Sequence, residues 1–181
     1  MNTAAQGIPR VILVMGVSGS GKTEVGRRLA GELGMEFLEG DDLHPPENIA
    51  KMAAGTPLGD ADRGGWLDAI RARIEGVAAA GRGVVVACSA LRRVYRERLL
   101  GGVEGARIVH LAGGIEVIGR RLAARRGHFM PASLLRSQFE ALEEPAAGER
   151  AIVVDVRVPV AAVVREVLAR LGAAQRGSSQ R

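Results

Sequence analysis

The chain has 181 residues, 47% of them hydrophobic and 25% charged, a balance that excludes a disordered or fibrous protein and fits one domain. Its net charge of +5 is carried almost entirely by arginine, interspersed with acids and accompanied by few aromatic stacking platforms, so the charge does not read as a nucleic-acid site. No apolar run approaches the ~20 residues of a membrane span, residues 1–9 lack the pattern of a secretion leader, and one cysteine, Cys88, fits a reducing compartment, so a cytoplasmic protein with neither membrane nor nucleic acid as partner is expected.

In chain order, the apolar run Arg10–Val17 reads as a buried strand and Gly21–Leu33 as a helix, with Val25, Leu29, Ala30 and Leu33 at helical spacing and Gly34 as its C-cap. Met35–Leu38 is a second strand, ending at the acids Glu39, Asp41 and Asp42. Pro45–Gly55 fits a short helix. Asp60–Ala80 fits a longer one, burying Trp66, Leu67, Ile70, Ile74 and Val77. Strands follow at Gly83–Ala90, Ala106–Leu111 and Ala151–Val156. Helices fall at Leu91–Leu100, Ile115–Arg126, Pro131–Leu142 and Val160–Leu171. Short apolar strands alternating with helices predict a three-layer α/β/α domain with a five-stranded parallel sheet. It spans residues 1–172, followed by a flexible polar tail, 173–181.

Between the first strand and first helix stands Gly16-Val17-Ser18-Gly19-Ser20-Gly21-Lys22-Thr23, which matches G-x-x-x-x-G-K-[ST] in the context that motif requires. Its glycines let backbone N–H groups wrap a phosphate, and the helix start adds positive potential. Lys22 should reach the β- and γ-phosphates of ATP, and the Thr23 hydroxyl should ligate Mg²⁺. There is no N-K-x-D for guanine selection. The formal D-x-x-G at Asp62–Gly65 opens a helix instead of following a strand. A small phosphotransferase remains.

Acceptors bind beyond the carboxyl ends of such strands. After the second strand, one carboxylate of Glu39, Asp41 and Asp42 could take a hydroxyl proton, although Asp41 or Asp42 could equally cap the next helix. His44 could bond the loop or the substrate. After the third strand, Ser89, Arg92, Arg93 and Arg96, with Arg63 ahead of it, would surround an anionic acceptor. Cys88 reads as a small buried residue and His110 as a satisfied core histidine. The basic segment at about 120–137, containing Arg120, Arg121, Arg125 and Arg126, fits a mobile lid that excludes water during transfer.

These residues resemble the small P-loop gluconokinases of the thermoresistant type. The matching blocks include Met15–Lys22, Phe37–Asp41, Leu43–Pro45, Asn48–Met52, Asp62–Leu67, Cys88–Leu91 with Tyr95 and Arg96, Arg125–Phe129 and Gln138–Pro145. Only the first is specific alone; their shared order is what carries the resemblance. It implies Mg²⁺-dependent transfer of the ATP γ-phosphoryl to the 6-hydroxyl of D-gluconate, in the cytoplasm, by a homodimer. It further implies Asp41 as the group that orients and deprotonates the hydroxyl. Arg63, Arg92, Arg96, Ser89 and His44 would bind the acceptor, while Arg121 and Arg125 would serve the nucleotide and transition state. The rivals are a shikimate kinase-like enzyme, which would want a glycine-rich triplet where Cys88-Ser89-Ala90 stands, and a nucleotide-binding regulator without turnover.

Overall fold

A computed structural model of the chain describes residues 9–124 and 132–178. Five strands form one sheet: β1 (Val11–Met15), β2 (Glu36–Glu39), β3 (Val84–Ala87), β4 (Arg107–Ala112) and β5 (Ala151–Asp155). Their order is β2-β3-β1-β4-β5 and every pairing is parallel. β1 is fully buried, in register with Val84–Ala87 on one side and Arg107–His110 on the other. A strand covered on both faces has no use for polar alternation, which is why VILVM is apolar throughout.

The helices are α1 (Lys22–Leu33), α2 (Pro46–Ala53), α3 (Asp60–Ala79), α4 (Arg93–Leu100), α5 (Ile115–Ala123), α6 (Ala132–Ala141) and α7 (Val160–Ser178). One hydrophobic layer joins Val25 and Leu29 of α1, Ile118 and Leu122 of α5, Leu135 of α6 and Val163, Val167 and Leu171 of α7 to one sheet face. The other joins Trp66, Leu67, Ile70 and Ile74 of α3 and Tyr95 and Leu99 of α4 to the opposite face. The three-layer α/β/α architecture expected from the strand–helix alternation is therefore the observed one. β1, β3 and β5 stop before the ends of their apolar runs, whose last residues enter the loops that follow, while β2 and β4 keep the expected length and end one residue later.

Two boundaries differ from the sequence reading. α7 continues to Ser178, so residues 173–178 are helical where small polar residues suggested fraying. Within the segment read as a lid, residues 120–123 belong to α5 and 132–137 to α6. Leu122, Leu134 and Leu135 of these helices are buried, so both flanks are packed structure.

Candidate active site

β1 lies at the point where strand order reverses, with β3 on one side and β4 on the other, and the loop at its carboxyl end is the phosphate loop. The loop closes on itself through Ser20 N–H to the Val17 carbonyl at 3.2 Å, and the Gly16 N–H reaches the Ser89 carbonyl after β3 at 3.4 Å. Gly19 has φ 80°, and a Cβ there would lie 2.6 Å from Leu122 of α5. Glycine is thus demanded by both conformation and space. Gly21 is the left-handed N-cap of α1, whose first residues are Lys22 and Thr23, so the helix start points its unpaired amides at the loop. The Lys22 ammonium donates to the Val17 carbonyl at 3.2 Å. Inside the loop the Ser20 hydroxyl is buried with no hydrogen-bond partner. Thr23 is exposed at the mouth.

The acceptor wall begins where β2 turns into a 3₁₀ turn, Gly40–Leu43. A Cβ on Gly40 would stand 2.7 Å from the Ala87 carbonyl, so only glycine lets the turn lie against β3. The Trp66 indole N–H donates to the Gly40 carbonyl at 2.7 Å, fastening the turn to α3. This orients Asp41, whose side chain is 65% exposed, toward solvent, with the buried imidazole of His44 4.0 Å away. Neither Asp41 nor Asp42 caps the following helix: the N-cap of α2 is Pro45, without a side-chain bond.

His44 stacks on Trp66 with ring centroids 4.0 Å apart. Its pKa is lowered, chiefly by burial, with Asp41 opposing and Arg63 reinforcing the shift, so the ring is neutral. Its Nδ1 faces the Asn48 amide nitrogen at 3.5 Å. That nitrogen is a donor, which assigns the imidazole proton to Nε2, the atom nearest Asp41. Asn48 also donates to the Asp62 carbonyl at 2.8 Å. The D-x-x-G aspartate, Asp62, accepts the Gly59 N–H at the start of α3 and pairs with Lys51; it is a helix-start residue, as its position implied.

The arginines separate into three kinds. Arg63 donates to the Leu58 carbonyl and to the Tyr95 hydroxyl, and its guanidinium lies 5.5 Å from the Tyr95 ring. Both partners are neutral. Arg92 instead binds the Asp60 carboxylate at 2.7 and 2.9 Å and lies 3.5 Å from Glu143, so its charge is balanced within the protein. The Tyr95 hydroxyl donates to Asp60 and joins the two arginines into one network. That bond, followed by Arg92, holds the Asp60 pKa below its usual value.

Arg96 corrects the sequence reading. It is 2% exposed; it forks onto Glu149 at 2.6 and 2.9 Å and donates to the carbonyls of Ala90, Leu91 and Glu143. With its donors so engaged it is an internal strut between α4 and the segment before β5, and it has nothing left for an acceptor. His110 differs too: it is buried as expected, but its Nδ1 has no partner, and it lines a cavity of about 250 Å³ with Val17, Leu111 and Phe139.

Ser89 sits half-buried at the carboxyl end of β3, next to the buried Ala90, which adopts φ 42°. The glycine-like conformation that a rival kinase would have suggested is present there, borne by an alanine. Arg121 donates to the Val156 carbonyl just beyond β5. Arg125 lies outside the described residues. Sequence reasoning missed Asp60, Glu143 and Glu149, which pair across 32 to 53 positions and leave no periodic or motif-like trace; Asn48 stands in a matching block that assigns it no role.

One buried group reports how the two halves meet. The Cys88 thiol, at the end of β3, is pushed up to about 12 by burial, and it also feels the carboxylates of Asp41 and Glu39 and the ammonium of Lys22. Lys22 of the phosphate loop and the acids of the turn after β2 thus both act on the end of β3. A cradle of backbone amides on a sheet of this order, facing an acidic turn and an arginine-bearing wall, defines a P-loop kinase.

Comparison with known proteins agrees. A family model described as an AAA domain matches residues 11–145. The chain is 49% identical over 144 residues to the gluconokinase of Gluconobacter oxydans, covering 80% of this chain and 81% of the relative. It is 42% identical to the thermoresistant gluconokinase of Escherichia coli, over 87% and 91% of the two chains. The crystal structure of a gluconokinase from Sinorhizobium meliloti superposes with a TM-score of 0.87 at 47% identity, covering 96% of this chain and 98% of that one. The chain belongs to the gluconokinase family. The deoxyadenosine kinase of M. mycoides, at TM-score 0.64 and 12% identity, shares the fold.

Proposed function

We propose that this enzyme transfers the γ-phosphoryl of ATP to the 6-hydroxyl of D-gluconate, giving 6-phospho-D-gluconate and ADP. The observation that carries the reading is the phosphate loop between β1 and α1, at the point where strand order reverses, with the Asp41-bearing turn packed against the neighbouring end of β3, in a chain 42–49% identical to gluconokinases. Lys22 and the loop amides between Gly16 and Thr23 that make no bond within the protein hold the phosphates, while the N–H groups of Gly16, Ser18 and Ser20, bonded to Ser89, Gln138 and Val17, keep the loop in shape. Asp41 accepts the 6-hydroxyl proton as the O6–P bond forms and the bond to the ADP oxygen breaks. His44 presents its Nε2–H toward Asp41, 4.0 Å from the carboxylate. Arg63 carries the positive charge offered to the gluconate carboxylate, Ser89 adds a hydroxyl, and Arg92 supports the wall through Asp60. Arg121 and Arg125 serve the nucleotide.

Mg²⁺ fits this site as an ion that arrives on the nucleotide. Among the described residues no group of three His, Cys, Asp or Glu could hold a metal, while the exposed Thr23 hydroxyl offers the single protein oxygen that a phosphate-borne Mg²⁺ needs. When bound it would neutralise charge on the phosphate oxygens. No helix among the described residues is long and apolar enough to cross a membrane; the cytoplasm is the compartment we infer, and a homodimer the assembly, to be checked by sedimentation.

The test is phosphorylation of D-gluconate by purified protein with Mg-ATP, read through coupled 6-phosphogluconate dehydrogenase, with shikimate and AMP in parallel. Gluconate-dependent turnover abolished by Lys22→Ala is expected. Turnover on shikimate or AMP alone, or none with a folded, ATP-binding protein, would overturn the acceptor assignment.

A further inference from the structure

The backbone N–H of Ser18 donates to the side-chain carbonyl Oε1 of Gln138 at 2.7 Å, across 120 positions of sequence. Gln138 lies on α6. Its neighbours Leu135 and Phe139, three positions before and one after, pack into the core layer beneath the loop. The helix is therefore anchored on either side of the glutamine, and the carboxamide is presented at a fixed place.

A carboxamide has one accepting end and one donating end. Here the accepting end is committed to a loop N–H, which also fixes the flip of the amide, because the reverse orientation would set two donors against each other. The –NH₂ end is then held beside the loop, and among the described residues no acceptor takes it. Nor is that nitrogen among the buried polar atoms without a partner. A donor kept next to a phosphate cradle, with no acceptor among the described residues, suits an anionic oxygen brought by a ligand.

We infer that Gln138 is a phosphoryl-contacting residue: its Oε1 positions the Ser18 end of the loop, and its –NH₂ donates to an oxygen of the terminal phosphate of ATP, the group that is transferred. This rests on the kinase reading above. It makes α6 a sensor of the γ-phosphate, distinguishing ATP from ADP by a bond that only the former can complete.

The variant that separates this role from a mere tie is Gln138→Glu, which keeps an acceptor for the Ser18 N–H, removes both donors and adds negative charge. Calorimetry with Mg-ADP and with a non-hydrolysable ATP analogue, together with steady-state kinetics, gives the readout. The expected result is ADP affinity within about 2-fold of the parent, analogue affinity about 10-fold weaker, kcat about 10- to 100-fold lower, and a gluconate KM within about 3-fold. Gln138→Met, which removes both ends without adding charge, should show the same ADP–analogue split at smaller size. If Gln138→Glu matches the parent for both nucleotides, or if either variant weakens both equally, the residue is only a structural tie and the inference falls. Parent protein assayed alongside with gluconate separates that failure from a failure of the kinase reading itself.

Discussion

The phosphate loop and the acceptor wall are built by opposite means. The loop spans eight consecutive residues and binds through backbone amides, so its geometry follows from where glycine is required and where α1 begins. The wall gathers side chains from the turn after β2, from α2, α3 and α4, and its members are set by bonds between distant positions, such as Trp66 to Gly40 and Arg92 to Asp60. A backbone site tolerates change in side chains but not in conformation. A side-chain site is lost one group at a time. The two halves should consequently respond to mutation in separable ways.

The largest effect expected is on turnover. Asp41→Asn removes the proton acceptor but leaves the loop untouched, so kcat should fall about 10²- to 10⁴-fold while ATP affinity stays within a factor of two. Isothermal titration with nucleotide and coupled kinetics on the same sample decide it; a variant that turns over normally would strip Asp41 of its role. Next comes Arg96→Leu, which should act on stability and not on substrate affinity. It leaves the Glu149 carboxylate, 14% exposed, without its fork and three carbonyls without a donor, a loss on the order of 3–5 kcal/mol. Urea unfolding would measure it. A stable Arg96→Leu protein with a raised gluconate KM would restore Arg96 to the acceptor wall.

The contrast also accounts for what could be read in the sequence. The sheet, its order of helices and the loop were legible, because apolar periodicity and a contiguous glycine-rich motif are local signals. The polar residues grouped at strand ends were legible as a neighbourhood. Which arginine does what was not. Arg63, Arg92 and Arg96 look alike in the chain, and only the positions of Tyr95, Asp60, Glu143 and Glu149 sort them into an offered charge, a balanced charge and a buried strut. Burial misleads in the same way: His110 reads as a satisfied core residue and is buried, yet its Nδ1 has no partner and it faces a cavity, a matter of neighbours on β4 and α6 that periodicity does not encode.

Sorting the arginines yields a finer pair of expectations. Arg63→Ala should raise the gluconate KM about 10- to 100-fold, the scale of a lost charge-assisted hydrogen bond, with the ATP KM unchanged. Arg92→Ala should raise it only about 2- to 3-fold, since Asp60 and Glu143 already balance that charge. Equal effects in the two variants would merge the two kinds and erase the distinction drawn from their partners.

The smallest effect is on pH. His44 and His110 both have pKa values lowered mainly by burial, so the folded chain resists protons that the unfolded chain accepts. The sign follows: this contribution is fully present above about pH 6.5, the ordinary histidine value. Stability then declines as pH falls from there toward the folded-state values, by at most about 1.4 kcal/mol per pH unit for each ring. His110→Phe, which leaves a ring of similar size there without a titrating nitrogen, although Glu144 and Arg96 both act on that position, should flatten part of that decline between pH 6.5 and 5 in urea titrations. His44→Phe should flatten another part and also lower kcat, because the ring beside Asp41 is lost. An unchanged slope in both variants would mean that the acid sensitivity resides in the surface carboxylates paired with arginine, the acceptor wall's own Asp60 among them, and would move the pH response from the core to the site.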